Sequence, residues 1–126
     1  MNEPVWLLDT AVLIAHEISL ANFGGAEGIR DTHLLASALA RPKNLFAYEK
    51  PDLCELAAAY TLGIVKNHPF VDGNKRTGFL AGAAFLELNG IKLIASEPEA
   101  TRVILGVASG AVIEEQLADW YRSNIA

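Results

Sequence analysis

The segment from Asn74 to Leu88 constrains the fold of this chain more than any other. Its second part, residues 79–88, is apolar on nearly every face of the helix that it would form. A helix of this kind is normally enclosed by other helices. Directly before it lies a polar stretch, residues 68–78, which contains one proline and two glycines. The sequence therefore predicts a polar loop that leads into the N-terminus of a buried central helix.

This polar loop has the residue types that hold phosphate. The first turn of a helix offers free backbone N–H groups and the positive end of the helix dipole. Gly73 allows a tight turn and a close approach of the backbone to a ligand. Lys75 and Arg76 place two cations in the first turn, where the dipole disfavours them by roughly a few tenths of a kcal/mol. Cations at such a position indicate a bound anion.

Two further residues of the loop suggest chemistry on that anion. Asp72 is a candidate ligand for a divalent metal that accompanies phosphates. His68 is the residue of the loop that titrates near neutral pH, so it is the candidate general base.

The rest of the chain predicts an all-α protein with one domain over residues 1–126. Hydrophobic residues make up 52% of the sequence, with alanine and leucine the commonest, which favours a compact helical fold. Residues 43–51 are expected to be irregular, and residues 91–94 fit either a short extended piece or one strand of a small β-hairpin. The predicted helices cover residues 5–21, from the Asp31 or Thr32 cap to Pro42, from the Asp52 cap to Pro69, 74–88, 98–108 and 112–122.

Charge and composition exclude several functions. The net charge of −5 and the pI of about 5.1 argue against direct binding to nucleic acid, which needs a basic face. The single cysteine, Cys54, excludes an internal disulfide and a multi-cysteine zinc site. No apolar run reaches the roughly 20 residues of a membrane-spanning helix, and the N-terminus has no basic region typical of a secretory signal. We therefore expect a cytoplasmic protein without a membrane association.

The ordered run from His68 to Gly78 resembles the signature of the Fic/Doc family, H-P-F-x-D/E-G-N-G/K-R. The segment Phe23–Asp31, with its three glycines and Arg30, and the segment Phe85–Gly90 are similar to the Doc (death-on-curing) branch of that family. The resemblance covers nearly the whole chain. It implies a single Fic-like helical bundle and the size of a stand-alone Doc toxin of a type II toxin–antitoxin system.

The two branches of the family differ in the group that they transfer. Fic enzymes typically transfer AMP from ATP to a protein hydroxyl, and their motif has glycine at the position of Lys75 and a second arginine at that of Phe79. Both differences point to the Doc branch, which implies Mg-ATP bound in the opposite direction and transfer of its γ-phosphate to a serine or threonine. The known Doc target is elongation factor Tu, so the resemblance implies arrest of translation.

The resemblance also assigns roles to six residues of the loop. Phosphoryl transfer requires mainly positioning and electrostatic stabilisation. His68 would take the proton of the attacking hydroxyl, Asp72 would position Mg²⁺, Gly73 and Asn74 would present backbone and amide donors to the phosphates, and Lys75 and Arg76 would stabilise the transferring group.

Inhibition is expected to come from another chain. The inhibitory S/T-x-x-x-E-G/N motif of many Fic proteins is absent from this sequence. In the family the inhibitor is then the Phd antitoxin, whose C-terminal segment docks as a helix in a groove on Doc.

Other readings stay open at this point. The chain could transfer AMP to a protein hydroxyl, or it could be a catalytically silent module that acts through its antitoxin in transcriptional control. His16 and His33 are read as structural histidines. Arg30 and Asp31 are read as a helix cap with a solvated charge, with a role in the site as the alternative.

Overall fold

The computed structural model describes residues 2–126, and this part of the chain forms six helices. A polar loop of six residues joins the third helix to the fourth, and this is the loop that the sequence singled out. The helices are α1 (Asp9–Phe23), α2 (Thr32–Tyr48), α3 (Leu53–Asn67), α4 (Asn74–Leu88), α5 (Glu97–Ser109) and α6 (Glu114–Ser123). The predicted all-α class is confirmed.

Helix α3 is the most enclosed element of the bundle. It packs against α2, α4, α5 and α6. Ten of its fifteen residues are buried, against seven of fifteen in α4. The sequence placed α4 at the centre, and α4 does pack along α3, but its first turn and its last residue reach solvent. Three successive alanines, residues 57–59, allow neighbouring helices to approach α3 from several sides.

Two glycines bring α4 close to α3. A Cβ atom on Gly78 would lie 2.7 Å from Val65 Cγ2, and one on Gly82 would clash with the hydroxyls of Thr61 and Tyr121. Those two hydroxyls are 2.7 Å apart, and the Thr61 hydroxyl also donates to the Gly78 carbonyl at 2.8 Å. The start of α4 is therefore fixed against α3, and with it both ends of the loop that joins them.

Helix α2 differs from its prediction, because it continues through Pro42 to Tyr48. A proline inside a helix removes one backbone hydrogen bond and costs about 3 kcal/mol. Here Pro42 is buried, and Leu45 and Phe46 continue the same apolar face onto the core, with Phe46 against the edge of Trp6. This burial keeps the helix intact, so the connection expected at residues 43–51 shrinks to residues 49–52. The predicted cap at Asp52 is confirmed, as part of a capping box with Glu55.

The region around residues 91–94 forms an isolated bridge instead of a hairpin. Leu93 pairs in antiparallel fashion with Ile125, and Ile94 N–H donates to the Asn124 carbonyl at 2.7 Å. The partner is thus the segment after α6 and not a neighbouring strand. No helix within residues 2–126 is long and apolar enough to cross a membrane.

Candidate functional site

His68 ends α3 in a left-handed conformation. Its φ is 52° and its ψ is 53°, and it is the one non-glycine residue with positive φ between residues 2 and 126. Histidine is among the residues found in this region more often than most, but the conformation still costs roughly 1–2 kcal/mol. The His68 N–H donates to the Ile64 carbonyl at 3.1 Å, and the side chain is exposed. The turn therefore directs the chain away from α3 and leaves the imidazole open to solvent.

The loop after α1 pairs with the motif loop, which is the connection of residues 68–73 between α3 and α4, and holds it from one side. Val71 N–H donates to the Gly28 carbonyl at 3.0 Å, and Arg30 N–H donates to the Pro69 carbonyl at 2.7 Å. Ile29 and Phe70 form an antiparallel bridge between the two. The Doc-like segment that follows Phe23 is therefore part of the same structure as the motif.

Phe70 anchors the motif loop in the core, and His16 packs against it. Phe70 is fully buried, and its ring stacks on the His16 imidazole with 3.9 Å between centroids and 11° between planes. His16 Nε2 lies 2.8 Å from the Asp72 carbonyl oxygen. A carbonyl can only accept, so Nε2 carries the proton. His16, for which the sequence favoured a structural role, holds the backbone of Asp72 in place.

The side chain of Asn74 bonds to the backbone of the loop, which corrects its predicted role as a donor to phosphate. Its Oδ1 accepts from Phe70 N–H at 2.9 Å, and its Nδ2 donates to the Phe70 carbonyl at 3.0 Å. The side chain is 3% exposed. The amide that was expected to contact phosphate therefore closes a ring with the Phe70 backbone, since both of its polar atoms have buried partners. What Asn74 can present to a ligand is its backbone N–H.

The first turn of α4 carries backbone donors that the helix itself cannot use. The first N–H of α4 with a carbonyl acceptor in its own turn is that of Thr77, which donates to Gly73 at 3.0 Å. The three preceding N–H groups, those of residues 74–76, lie ahead of the first intrahelical bond. Gly73 precedes them with φ of 79° and has no side chain to cap them. Such an arrangement is able to bind an anion.

Two exposed cationic side chains lie beside these donors. Lys75 and Arg76 both lie on the solvent side of α4. The guanidinium carbon of Arg76 lies 3.4 Å from the centroid of the Phe23 ring, at the end of α1. Stacking of this kind fixes the plane of the guanidinium and leaves its N–H edge free for a phosphate.

The carboxylate of Asp72 is exposed and has hydrogen bonds from two backbone groups. Oδ2 accepts from Ala26 N–H at 3.2 Å and Oδ1 accepts from Gly73 N–H at 3.1 Å. Such a carboxylate is a suitable single ligand for Mg²⁺, which usually takes one or two carboxylates plus phosphate oxygens and water. Within residues 2–126 no group of three or more metal-ligating side chains occurs. The residues fit a metal that arrives with a nucleotide.

Phe79 takes no part in the anion site. Its ring packs against Trp120 of α6, with 6.3 Å between the ring centroids, and belongs to the periphery of the core. An apolar ring held against another helix cannot replace a guanidinium as a phosphate clamp.

Arg30 is the residue whose role the sequence left open. Its Nε donates to the His68 carbonyl at 2.7 Å and its Nη2 donates to the Asn67 carbonyl at 3.0 Å. The residues are 38 and 37 positions apart, so no local pattern could have joined them. Its position two residues after Gly28, in the segment similar to the Doc branch, was the signal that the sequence offered.

A cleft of about 650 Å³ opens next to the loop, between α1 and residues 25–29. Leu13, Leu20 and Ile29 supply apolar lining, and Glu17 and Glu27 add two carboxylates. The cleft also reaches His16 and Phe70, which support the motif loop. An occupant of the cleft would therefore lie against the site.

The comparisons with known proteins agree with this geometry. The model of the Fic/DOC family matches residues 6–86, which include α1 to α3, the whole motif loop and α4 as far as Leu86. The chain is also similar to Toxin Doc of Mycolicibacterium smegmatis, with 44% identity over 77 residues. The aligned part covers 58% of this chain and 58% of that toxin, so the match spans less than two thirds of the relative. The chain therefore belongs to the Fic/DOC family.

Proposed function

We propose that this chain is the toxin of a type II toxin–antitoxin system, and that it transfers the γ-phosphate of Mg-ATP to a hydroxyl of a translation factor. Its similarity to Toxin Doc supports the toxin role. The observation that carries the transfer is the exposed His68 at one end of a short loop and the open first turn of α4 at the other. The first candidate for the substrate is elongation factor Tu, as the Doc-like motif implies.

Each group of the loop has a defined task in this proposal. The exposed imidazole of His68 accepts the proton of the attacking serine or threonine hydroxyl. The free N–H groups of residues 74–76 bind phosphate oxygens, while Lys75 and Arg76 stabilise the charge of the transferring group. The Asp72 carboxylate would hold Mg²⁺, which neutralises part of the phosphate charge when it is bound.

Two features favour transfer of the γ-phosphate over transfer of AMP. Lys75 puts a long charged side chain at a position where bare glycine backbone would otherwise face the phosphates. Phe79 packs against Trp120, so the first turns of α4 supply one guanidinium, that of Arg76, and not two. AMP transfer in the family goes with the glycine and the second arginine together, which makes it the second candidate.

The antitoxin partner in this proposal is a Phd-like helix that docks along α1. The cleft has an apolar floor from Leu13 and Leu20, and Ile14 and Ile18 on the same helix are more than half exposed. An amphipathic helix buries such a surface by placing its own apolar face in the groove. Since the cleft adjoins His16 and Phe70, the bound helix would also cover the motif loop.

A label-transfer assay tests the transfer. The protein is incubated with purified elongation factor Tu, Mg²⁺ and ATP labelled at the α- or the γ-phosphate. We expect label on the factor from γ alone, and its loss in His68→Ala. The matched control is His33→Ala, which removes another exposed imidazole, on α2, and should leave the transfer unchanged. Label from α would show AMP transfer, and equal γ-label with His68→Ala would contradict the role of His68.

A further inference from the structure

We propose that Arg30 is a positioning residue for His68, because its guanidinium holds the two carbonyl groups on either side of the His68 α-carbon. This inference rests on the proposed role of His68 as the general base. Arg30 reaches these carbonyls from the loop after α1, through Nε to His68 O at 2.7 Å and Nη2 to Asn67 O at 3.0 Å.

The two carbonyls are ones that need a partner from outside the helix. The last C=O groups of a helix have no N–H group four residues further on, and the negative end of the dipole lies there. Asn67 is the last residue of α3, and His68 is its C-cap. Arg30 therefore supplies two donors to the C-terminal end of α3, and its positive charge adds to that of Lys66 in the last turn.

The two hydrogen bonds from the Arg30 guanidinium determine the backbone conformation of His68. The carbonyl of Asn67 belongs to the peptide plane before the His68 α-carbon, and that of His68 to the plane after it. Fixing both planes fixes φ and ψ of His68 and therefore the direction of its Cα–Cβ bond. This matters because His68 is in a left-handed conformation, with φ of 52°, that its own backbone does not favour.

Arg30 can act in this way because its own backbone is fixed. Its N–H donates to the Pro69 carbonyl at 2.7 Å, next to the Ile29–Phe70 bridge. Asp31, the next residue, caps α2 by accepting from Leu34 N–H at 3.0 Å. A planar guanidinium on such a support presents two donors in a fixed fork, which the single ammonium of a lysine cannot reproduce.

The kinetic test compares Arg30→Ala and Arg30→Lys with the wild type in the γ-phosphate transfer assay. We expect kcat to fall about 100-fold in Arg30→Ala, since a small misplacement of a catalytic group has an effect of this order. The KM for ATP should stay within about twofold, because the phosphate donors lie on α4. Arg30→Lys should recover part of the loss. The control is Arg102→Ala, which removes an exposed guanidinium on α5 and should change neither constant.

A second readout does not depend on activity. In NMR spectra of labelled protein, the Cα, Cβ and ring signals of His68 report its backbone conformation and its surroundings. In Arg30→Ala these signals should shift or broaden, while the ring signals of His16 and His33 keep their wild-type positions. Arg30→Lys should give a smaller change of the same kind, and it serves as the main variant if Arg30→Ala does not fold.

The two readouts separate this inference from the proposed function. If the wild type transfers no label, the transfer proposal fails and the NMR comparison alone decides the role of Arg30. Unchanged His68 signals in Arg30→Ala would overturn the inference. So would shifted signals with kcat within twofold of the wild type, or a change of the His16 signals as large as that of His68, which would indicate a general loss of structure.

Discussion

The motif loop and the interface between α3 and α4 meet at the same helix, but they are held in different ways. The interface is held by close packing, because Gly78 and Gly82 let the two backbones approach. The loop is held by side chains that bond to its backbone, those of Arg30, His16 and Asn74. The interface thus sets where α4 begins, whereas the loop contacts set the direction of each group. Changes to the α3–α4 interface should affect stability, and changes to the loop contacts should affect transfer more than stability.

Gly82→Ala should give the largest loss of stability. By helix propensity alone this change would stabilise α4 by about 1 kcal/mol. The added methyl group would clash with the hydroxyls of Thr61 and Tyr121, so we expect a net loss of about 3 kcal/mol. Urea unfolding measures it. Ala83→Gly at the next position is the control, with a loss of about 1 kcal/mol. A stable Gly82→Ala protein would show that the interface is not tightly packed.

Asn74→Ala should reduce both the stability of the protein and its transfer activity. It leaves the buried N–H and C=O groups of Phe70 without their partner, for which we expect a loss of about 2 kcal/mol in the free energy of unfolding. The loop should lose its shape as well, so transfer should fall far more than the folded fraction does. Asn74→Asp is the comparison, because it keeps the acceptor for Phe70 N–H but places a charge against the Phe70 carbonyl. Full activity in Asn74→Ala would contradict the bracing role.

Much of the helical pattern followed from local signals. The bounds of α4 and the cap at Asp52 were predicted because glycine, proline and capping residues act within a few positions. The continuation of α2 through Pro42 was missed because it depends on burial of Leu45 and Phe46 against other helices. A local rule for proline cannot weigh that burial against the lost hydrogen bond.

The candidate site shows the same division. Its residues lie within nine positions of one another, so the ordered motif was visible in the sequence. What holds them was not visible, since His16 and Arg30 contact residues 56 and 38 positions away. The family resemblance assigned the side chain of Asn74 to the ligand, whereas its burial commits it to Phe70. Residue type predicts what a side chain can do, and packing decides which of these it does.

The pH dependence of stability offers a test of the interface region alone. Burial raises the pKa of Tyr60 to about 12, and it also raises the pKa of Tyr121. Tyrosine in the unfolded chain titrates near pH 10, so above that pH the folded state binds more protons than the unfolded state. Stability should be unaffected by these groups below pH 10 and should fall between pH 10 and 11 by roughly 1 kcal/mol for each tyrosine.

The measurement is urea unfolding at pH 8, 9, 10 and 11, with Tyr121→Phe as the comparison. This variant lacks one of the two groups, so its stability should fall less steeply above pH 10. An equal slope for both proteins would show that Tyr121 ionises as readily in the folded chain as in the unfolded one.

Phe23→Leu should give the smallest effect, and it concerns the loop region. The change removes the ring on which the Arg76 guanidinium stacks, a contact worth about 0.5–1 kcal/mol at an exposed position. Affinity for ATP should fall about twofold to fivefold, with stability nearly unchanged, as measured by calorimetric titration. The control is Tyr48→Leu, which removes an exposed aromatic ring at the end of α2. A loss of the same size in both variants would rule out a specific role for Phe23.

The most direct test of the central claim is the intact mass of elongation factor Tu after incubation with this protein, Mg²⁺ and ATP. We predict a gain of one phosphate group with the wild type and no gain with His68→Ala. A gain of one AMP would mean that Lys75 and Phe79 do not select the γ-phosphate. An unchanged mass with the wild type would contradict transfer to this factor.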